Sequence, residues 1–200
     1  MKMKITFTEP LLGTLSGTKE LAAEYIAGKN PKGASKDEIE VIKNLDEEIE
    51  KSSTVFNMDE KGAFLWDYQV KGFLKDTAHA IIHNGSRTQE ALKKIRMTNY
   101  TYKKTIDQHV FVNPRRIYLN VVGDLYFTER PLRADTMRGE RIALARSETA
   151  PVGTWCELEI ISMNDKLWDI LIECLDYGKL RGIGQWRNSG CGRFVYEELQ

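Results

Sequence analysis

The chain has little with which to staple itself together. It carries three cysteines (Cys156, Cys174 and Cys191) and three histidines (His79, His83 and His109) in 200 residues. The cysteine count is odd, the spacing is wide and no Cys-x-x-Cys pair occurs. This argues against a disulfide framework or a zinc site, and a reduced, cytoplasmic protein is expected. No apolar run approaches the ~20 residues of a membrane span, so no membrane partner is expected. Net charge is also missing, since 29 Lys and Arg balance 29 Asp and Glu. That balance argues against a polycation that coats nucleic acid indiscriminately and against an acidic disordered tail. Tandem repeats, low-complexity linkers and a Gly-Lys-Ser/Thr phosphate loop are absent. No metal and no cofactor are expected.

What is present is enough for one domain with a buried core. Hydrophobic residues make up 42% and aromatics 10%. The charge, zero in sum, is segregated along the chain. Residues 19–61 carry 7 basic and 11 acidic side chains, net −4. Residues 71–146 carry 15 basic and 7 acidic, net +8, and residues 147–200 carry 5 and 9, net −4. A neutral body with a basic middle can present one phosphate-binding face, or merely a scatter of surface lysines and arginines.

Residues 2–8 alternate polar and apolar side chains and predict a strand, not a signal peptide. Two helices are expected over 18–52, the second opened by Ser35 with Glu38 three residues on as a capping box. They look like an insertion. Asp59 to Gly62 is a turn, and residues 66–84 predict a helix with Val70, Phe73, Leu74, Ala78, Ile81 and Ile82 facing a core. Residues 86–108 are basic and ambiguous. Strands are expected over 109–113, 116–122 and 124–130, and an extended loop or hairpin over 131–150. Residues 154–162 alternate as a strand, and a helix capped by Asn164 or Asp165 is expected to end at Gly178. A short strand over 193–197 closes the chain. This order of elements predicts an α+β, modified ferredoxin-like fold with an antiparallel sheet.

The segment Gly182-Ile183-Gly184-Gln185-Trp186-Arg187-Asn188-Ser189-Gly190-Cys191-Gly192-Arg193-Phe194 packs four glycines, two arginines and a tryptophan into 13 residues. Such a loop can cradle phosphate with its N–H groups. Arg187 and Arg193 can add charge-assisted contacts, and Trp186 can stack on a base. The glycines are equally explained by tight packing. The pattern resembles the C-terminal glycine-rich loop of the RAMP superfamily, the RNA-binding proteins of CRISPR effector complexes and crRNA-processing enzymes. Three further stretches, in the family's order, resemble the crRNA-backbone subunits: Thr8 to Gly13, Phe64 to Lys75, and Glu148 to Glu159.

The resemblance implies an RRM-like domain over residues 1–200 that binds single-stranded RNA, or DNA, through backbone and shape. It assigns Lys71 and Lys75, four apart on one helix face, to the strand's path together with the glycine loop. Arg133, Arg138 and Arg141 in the 131–150 segment would support them, or pair with Asp135 and Glu140 as a surface loop. Tyr100 to Lys104 interleaves aromatics and lysines, as single-strand binders do, or is a half-packed strand. Family members that cut target RNA carry an aspartate upstream of a proline-valine-valine stretch. Here Ser52 or Ser53 precedes Thr54-Val55-Phe56, so a metal-dependent nuclease is not implied. The family's crRNA-processing enzymes use a histidine with a tyrosine or lysine. His79 or His83, with Tyr100, Tyr102 or His109, is the corresponding weak candidate for metal-independent cleavage. Otherwise no residue is expected to be catalytic. Self-assembly along the strand, a place among CRISPR effector or phage replication proteins, and a phage protein that mimics or inhibits a host effector complex are further expectations.

Overall fold

The computed structural model describes residues 1–16, 53–84, 89–136 and 139–199. The helical insertion expected over 18–52 lies outside the described residues, as does Arg138. Of Arg133 and Arg141 only the backbone is described.

The first strand, β1 (Lys2–Phe7), forms as its alternation predicts, with Met3, Ile5 and Phe7 buried and Lys2 exposed. Short strands β2 (Leu11–Leu12), β3 (Leu15–Ser16), β4 (Thr54–Val55), β5 (Asn57–Asp59) and β6 (Gly62–Trp66) follow. Helix α1 (Asp67–Asn84) starts where Gln69 reaches back and its Oε1 accepts from the N–H of Trp66 at 2.7 Å. Val70, Phe73, Leu74, Ala78 and Ile81 give it one buried stripe. The ambiguous segment resolves into α2 (Gln89–Lys94) and α3 (Tyr102–His109), which bury Leu92, Tyr102 and Ile106. Then come β7 (Val110–Asn113), β8 (Arg116–Tyr118), β9 (Tyr126–Thr136), β10 (Gly139–Ala150), β11 (Trp155–Ser162), α4 (Trp168–Arg181) and β12 (Phe194–Leu199).

The main sheet has the order β12-β1-β11-β7 and is antiparallel throughout. In chain order the frame is β1, α1, β7, β11, α4, β12, with the first and third strands in the middle. That is the ferredoxin-like arrangement. Helices α1 and α4 pack against each other and cover one face. Cys156, Leu158 and Ile160 of β11 and Ile170, Leu171, Cys174 and Leu175 of α4 complete the core with β1. The opposite face is charged: Lys4 lies 3.7 Å from Glu197 and 4.8 Å over the Trp155 ring.

The second sheet is dominated by the β9–β10 hairpin, which begins at Tyr126, earlier than the 131–150 segment marked in the sequence. Its base is tied to β2 and to β4, and β3 pairs with β4. The third sheet is β5-β6-β8. The expected strand over 116–122 therefore stops at Tyr118, with only a bridge at Asn120. The stretches that carry the family resemblance are bonded to one another. Gly13 N–H donates to Glu148 O and Gly192 N–H donates to Pro10 O, both at 2.8 Å.

One helix boundary differs from expectation. Gly178 does not end α4, which runs on to Arg181 and is capped at Gly182. Gly178 is glycine because the Phe194 ring occupies the space a Cβ would take.

Burial pushes the thiols of Cys156 and Cys174 up to about 12. Cys191 is raised too, by partial burial, with Arg130 opposing the shift. A thiol stays protonated and unreactive well below its pKa. Ellman titration of the native protein at pH 8 is expected to count at most one thiol on the minute scale, and all three after denaturation. Two or more fast native thiols would contradict the burial of the core pair.

Candidate functional site

The glycine loop folds back against itself. Ile183 N–H donates to Gly192 O at 2.9 Å, and Gly192 N–H donates to Pro10 O at 2.8 Å. A Cβ on Gly182 would sit 2.5 Å from Cys191 O, and one on Gly192 would overlap Ile183 O. Both residues have positive φ, at +71°. These two are glycine for close approach of the loop's arms. The N–H groups of Gly182, Ile183, Ser189, Gly190 and Gly192 all donate to carbonyls within the protein. Those five N–H groups are spent within the protein and do not face a phosphate.

Between this loop and the first half of α1 lies a groove of about 640 Å³. Thr14, Leu15, Asn57 and Leu65 close it on one side. Trp66, Tyr68, Gln69, Gly72, Phe73 and Asp76 of β6 and α1 form another wall, and Ile183, Gly184 and Arg187 the third. Asp76 organises the charge. Its Oδ2 accepts from Arg187 Nη1 at 2.7 Å and from Arg181 Nε at 3.1 Å. Arg181 also donates to Asn188 Oδ1 at 3.2 Å, which ties the loop to the end of α4. Two guanidinium groups share one carboxylate, so the cluster keeps a net positive charge.

The predicted residues do not all converge here. Gly184 and Arg187 line the groove. Lys71 and Lys75 do share a helix face, but it turns toward α3, where their Nζ atoms lie 3.8 and 2.6 Å from Asp107 Oδ1. Lys71 also donates to Asp107 O at 3.1 Å and sits 5.1 Å over Phe111. Arg193 is held by a bond to Leu180 O at 3.0 Å, against Gly190. Trp186 adopts the left-handed conformation at φ +53°, and the guanidinium of Arg130 stacks 4.8 Å from its ring. Arg130 donates one bond, to Gln185 Oε1 at 3.2 Å, while its Nε and Nη1 are buried without a partner.

His79 and His83 stand ring to ring at 4.3 Å, and His79 lies 5.2 Å from Tyr102. Tyr100 is fully exposed, at 95%. Among the described residues, no three His, Cys, Asp or Glu side chains come together as a metal site.

Sequence reasoning missed Trp66, Tyr68, Arg115, Arg116 and Arg130. Trp66 and Tyr68 stack at 6.1 Å with 14° between their planes, and Arg115 and Arg116 each lie 5.6 Å from the Trp66 ring. Arg116 is aligned by Asp59, whose Oδ2 accepts from it and from Tyr118 OH, both at 2.8 Å. Burial alone would raise the Asp59 carboxyl, but bonds from Lys61 N–H, Tyr118 and Arg116 hold it below its usual value. The available signal was three aromatics within five residues, Phe64, Trp66 and Tyr68, read only as a family stretch.

No family model matches the sequence, and no curated protein does. Solved structures match in fold. The chain aligns over 100% of its length with 58% of a chain in the cryo-EM structure of the type III-B Cmr-beta bound to cognate target RNA, at TM-score 0.52 and 10% identity. It aligns over 98% of its length with 97% of Cmr6 from Pyrococcus furiosus, at TM-score 0.50 and 9% identity. The chain thus spans little more than half of the Cmr-beta chain it matches. The shared fold is the ferredoxin-like arrangement that the sequence resemblance implied.

Proposed function

We propose that this RAMP-type fold serves as a cytoplasmic, non-catalytic binding protein for single-stranded nucleic acid, RNA in preference to DNA. The observation that carries this reading is the groove between α1 and the glycine loop, walled by Arg187 and charged by two arginines on one carboxylate. Such a wall fits a phosphodiester backbone, which guanidinium groups contact in forked geometry. The preference for RNA draws on the fold shared with a component of an RNA-bound assembly. Arg133, Arg138 and Arg141 would supply further positive charge to the same strand. Self-association along the strand is the mode such a chain would use in an assembly.

A gel shift on single-stranded RNA and DNA of equal length, at two salt concentrations, tests the reading. Affinity should fall steeply with salt, with a log–log slope of about −0.7 per phosphate contacted. The absence of a shift on either strand at low salt would sink the proposal. In the same assay the Lys71→Ala, Lys75→Ala double variant is expected to stay within about twofold of the parent. Their two ammonium groups face α3 and not the groove, and there they share the single carboxylate of Asp107. A tenfold loss would put the strand on the α3 side of α1 instead.

The cluster of His79, His83 and Tyr102 favours one second reading, metal-independent RNA cleavage through the 2′-hydroxyl. Cleavage in EDTA that His79→Ala removes would establish it. Intact RNA after prolonged incubation would leave the cluster a packing contact.

A further inference from the structure

A row of aromatic rings runs from the third sheet into the groove. Tyr118 and Phe64 lie 5.8 Å apart, Phe64 and Trp66 meet edge to face at 5.0 Å, and Trp66 stacks on Tyr68. Phe64 is buried and belongs to the core, but Tyr68, at the groove end of the row, is 50% exposed. Cations follow the same row. Arg116 lies 5.4 Å over Phe64 and Lys61 5.8 Å over Tyr118. Arg115 is exposed, and among the described residues it touches the Trp66 ring and has no carboxylate partner. Single-strand binders are built this way, from aromatic platforms for bases flanked by cations for the backbone.

The amides beside the platform are held by the structure around it. Gln69 accepts from Trp66 N–H and donates to Thr14 Oγ1 at 2.6 Å, and Asn57 Oδ1 accepts from the Trp66 indole at 3.0 Å. These bonds fix both amides in place, and stacking on a ring is sequence-tolerant because every base has a π-face. The ring face of an entering base finds Tyr68.

We propose that Tyr68, backed by Trp66, is a stacking platform for one unpaired nucleobase of the bound strand. Arg115 and Arg116 hold the adjoining phosphates, and the contact tolerates any base. This deepens, and rests on, the single-strand reading. It places a second contact surface on the third sheet, beside the loop that the sequence pointed to.

The test uses the full chain with two single strands of equal length and charge: an RNA homopolymer, and a tetrahydrofuran-phosphate polymer that has no bases. The parent protein is expected to bind the RNA about tenfold or more tightly than the baseless strand. Tyr68→Ala should remove most of that difference and leave the salt slope unchanged, while Tyr68→Phe, which keeps a ring, should retain it. Adenine and uracil homopolymers should bind within a few-fold of each other. Circular dichroism of Tyr68→Ala controls for folding. Equal affinity of the parent for the two polymers, or an unaffected Tyr68→Ala, overturns the platform and leaves strand binding in place. Strong preference for one base overturns the tolerance. Failure to bind either polymer overturns the single-strand reading and the platform together.

Discussion

Replacing Gly192 by alanine is expected to unseat the glycine loop and abolish strand binding with it. A Cβ there would overlap Ile183 O, and that oxygen has little room to retreat. The two residues are already laddered, because Ile183 N–H donates to Gly192 O at 2.9 Å. The φ of +71° adds a conformational penalty for any L side chain. Backbone strain and overpacking of roughly 1–3 kcal/mol each give about 2–6 kcal/mol in total. For a chain of this size that lowers the melting temperature by about 5–20 °C. Gly72→Ala is the control. Gly72 lies on an exposed turn of α1, and a methyl group there would meet nothing within 4 Å. Alanine in a helix interior is favoured by up to about 1 kcal/mol over glycine, so this variant should melt slightly higher. Thermal unfolding followed by circular dichroism checks both. A Gly192→Ala protein that melts with the parent would contradict the close approach of the loop's arms.

The Asp76 locus is expected to move affinity in both directions. Removing Arg181 and Arg187 together should weaken RNA binding on the order of tenfold or more, since each can make a charge-assisted contact. The salt slope should become shallower by about 0.7 for each phosphate lost. Asp76→Asn removes the carboxylate that both arginines share, and it should tighten binding by roughly two- to fivefold. The gain is modest because all three side chains are part-exposed and screened by solvent. Opposite signs at one locus distinguish an anion-binding cluster from a structural brace. A brace would lose stability, and binding with it, in either variant. Titration by fluorescence anisotropy at two salt concentrations, alongside the melting temperatures, reads both quantities.

The frame of the fold was legible because its elements are strongly periodic. The alternation of Lys2 to Phe7 and of Trp155 to Ser162, and the apolar stripe of α1, follow directly from which faces the core covers. The segment 86–108 was not legible, because α2 and α3 are short and bury only Leu92, Tyr102 and Ile106 between polar residues. Gly178 was misjudged because a helix-ending glycine and a glycine that admits a ring from another strand look the same in one dimension. The site was legible in part. The glycine loop and Arg187 do wall the groove. Helical spacing put Lys71 and Lys75 on one face, but only the packing of α3 shows that this face belongs to Asp107. Asp76, next to Lys75 in sequence, gave no hint that it would hold two arginines more than 100 positions away.

The placement of β1 has a kinetic consequence. It sits between β11 and β12, so the first strand of the chain pairs only with strands that begin at Trp155 and Phe194. Such pairings pay a large loop-closure cost before they return any stability. During synthesis Met3, Ile5 and Phe7 must wait, unpaired, until β11 and β12 have emerged. The main sheet therefore closes only after those strands are made, and an apolar strand stays uncovered until then.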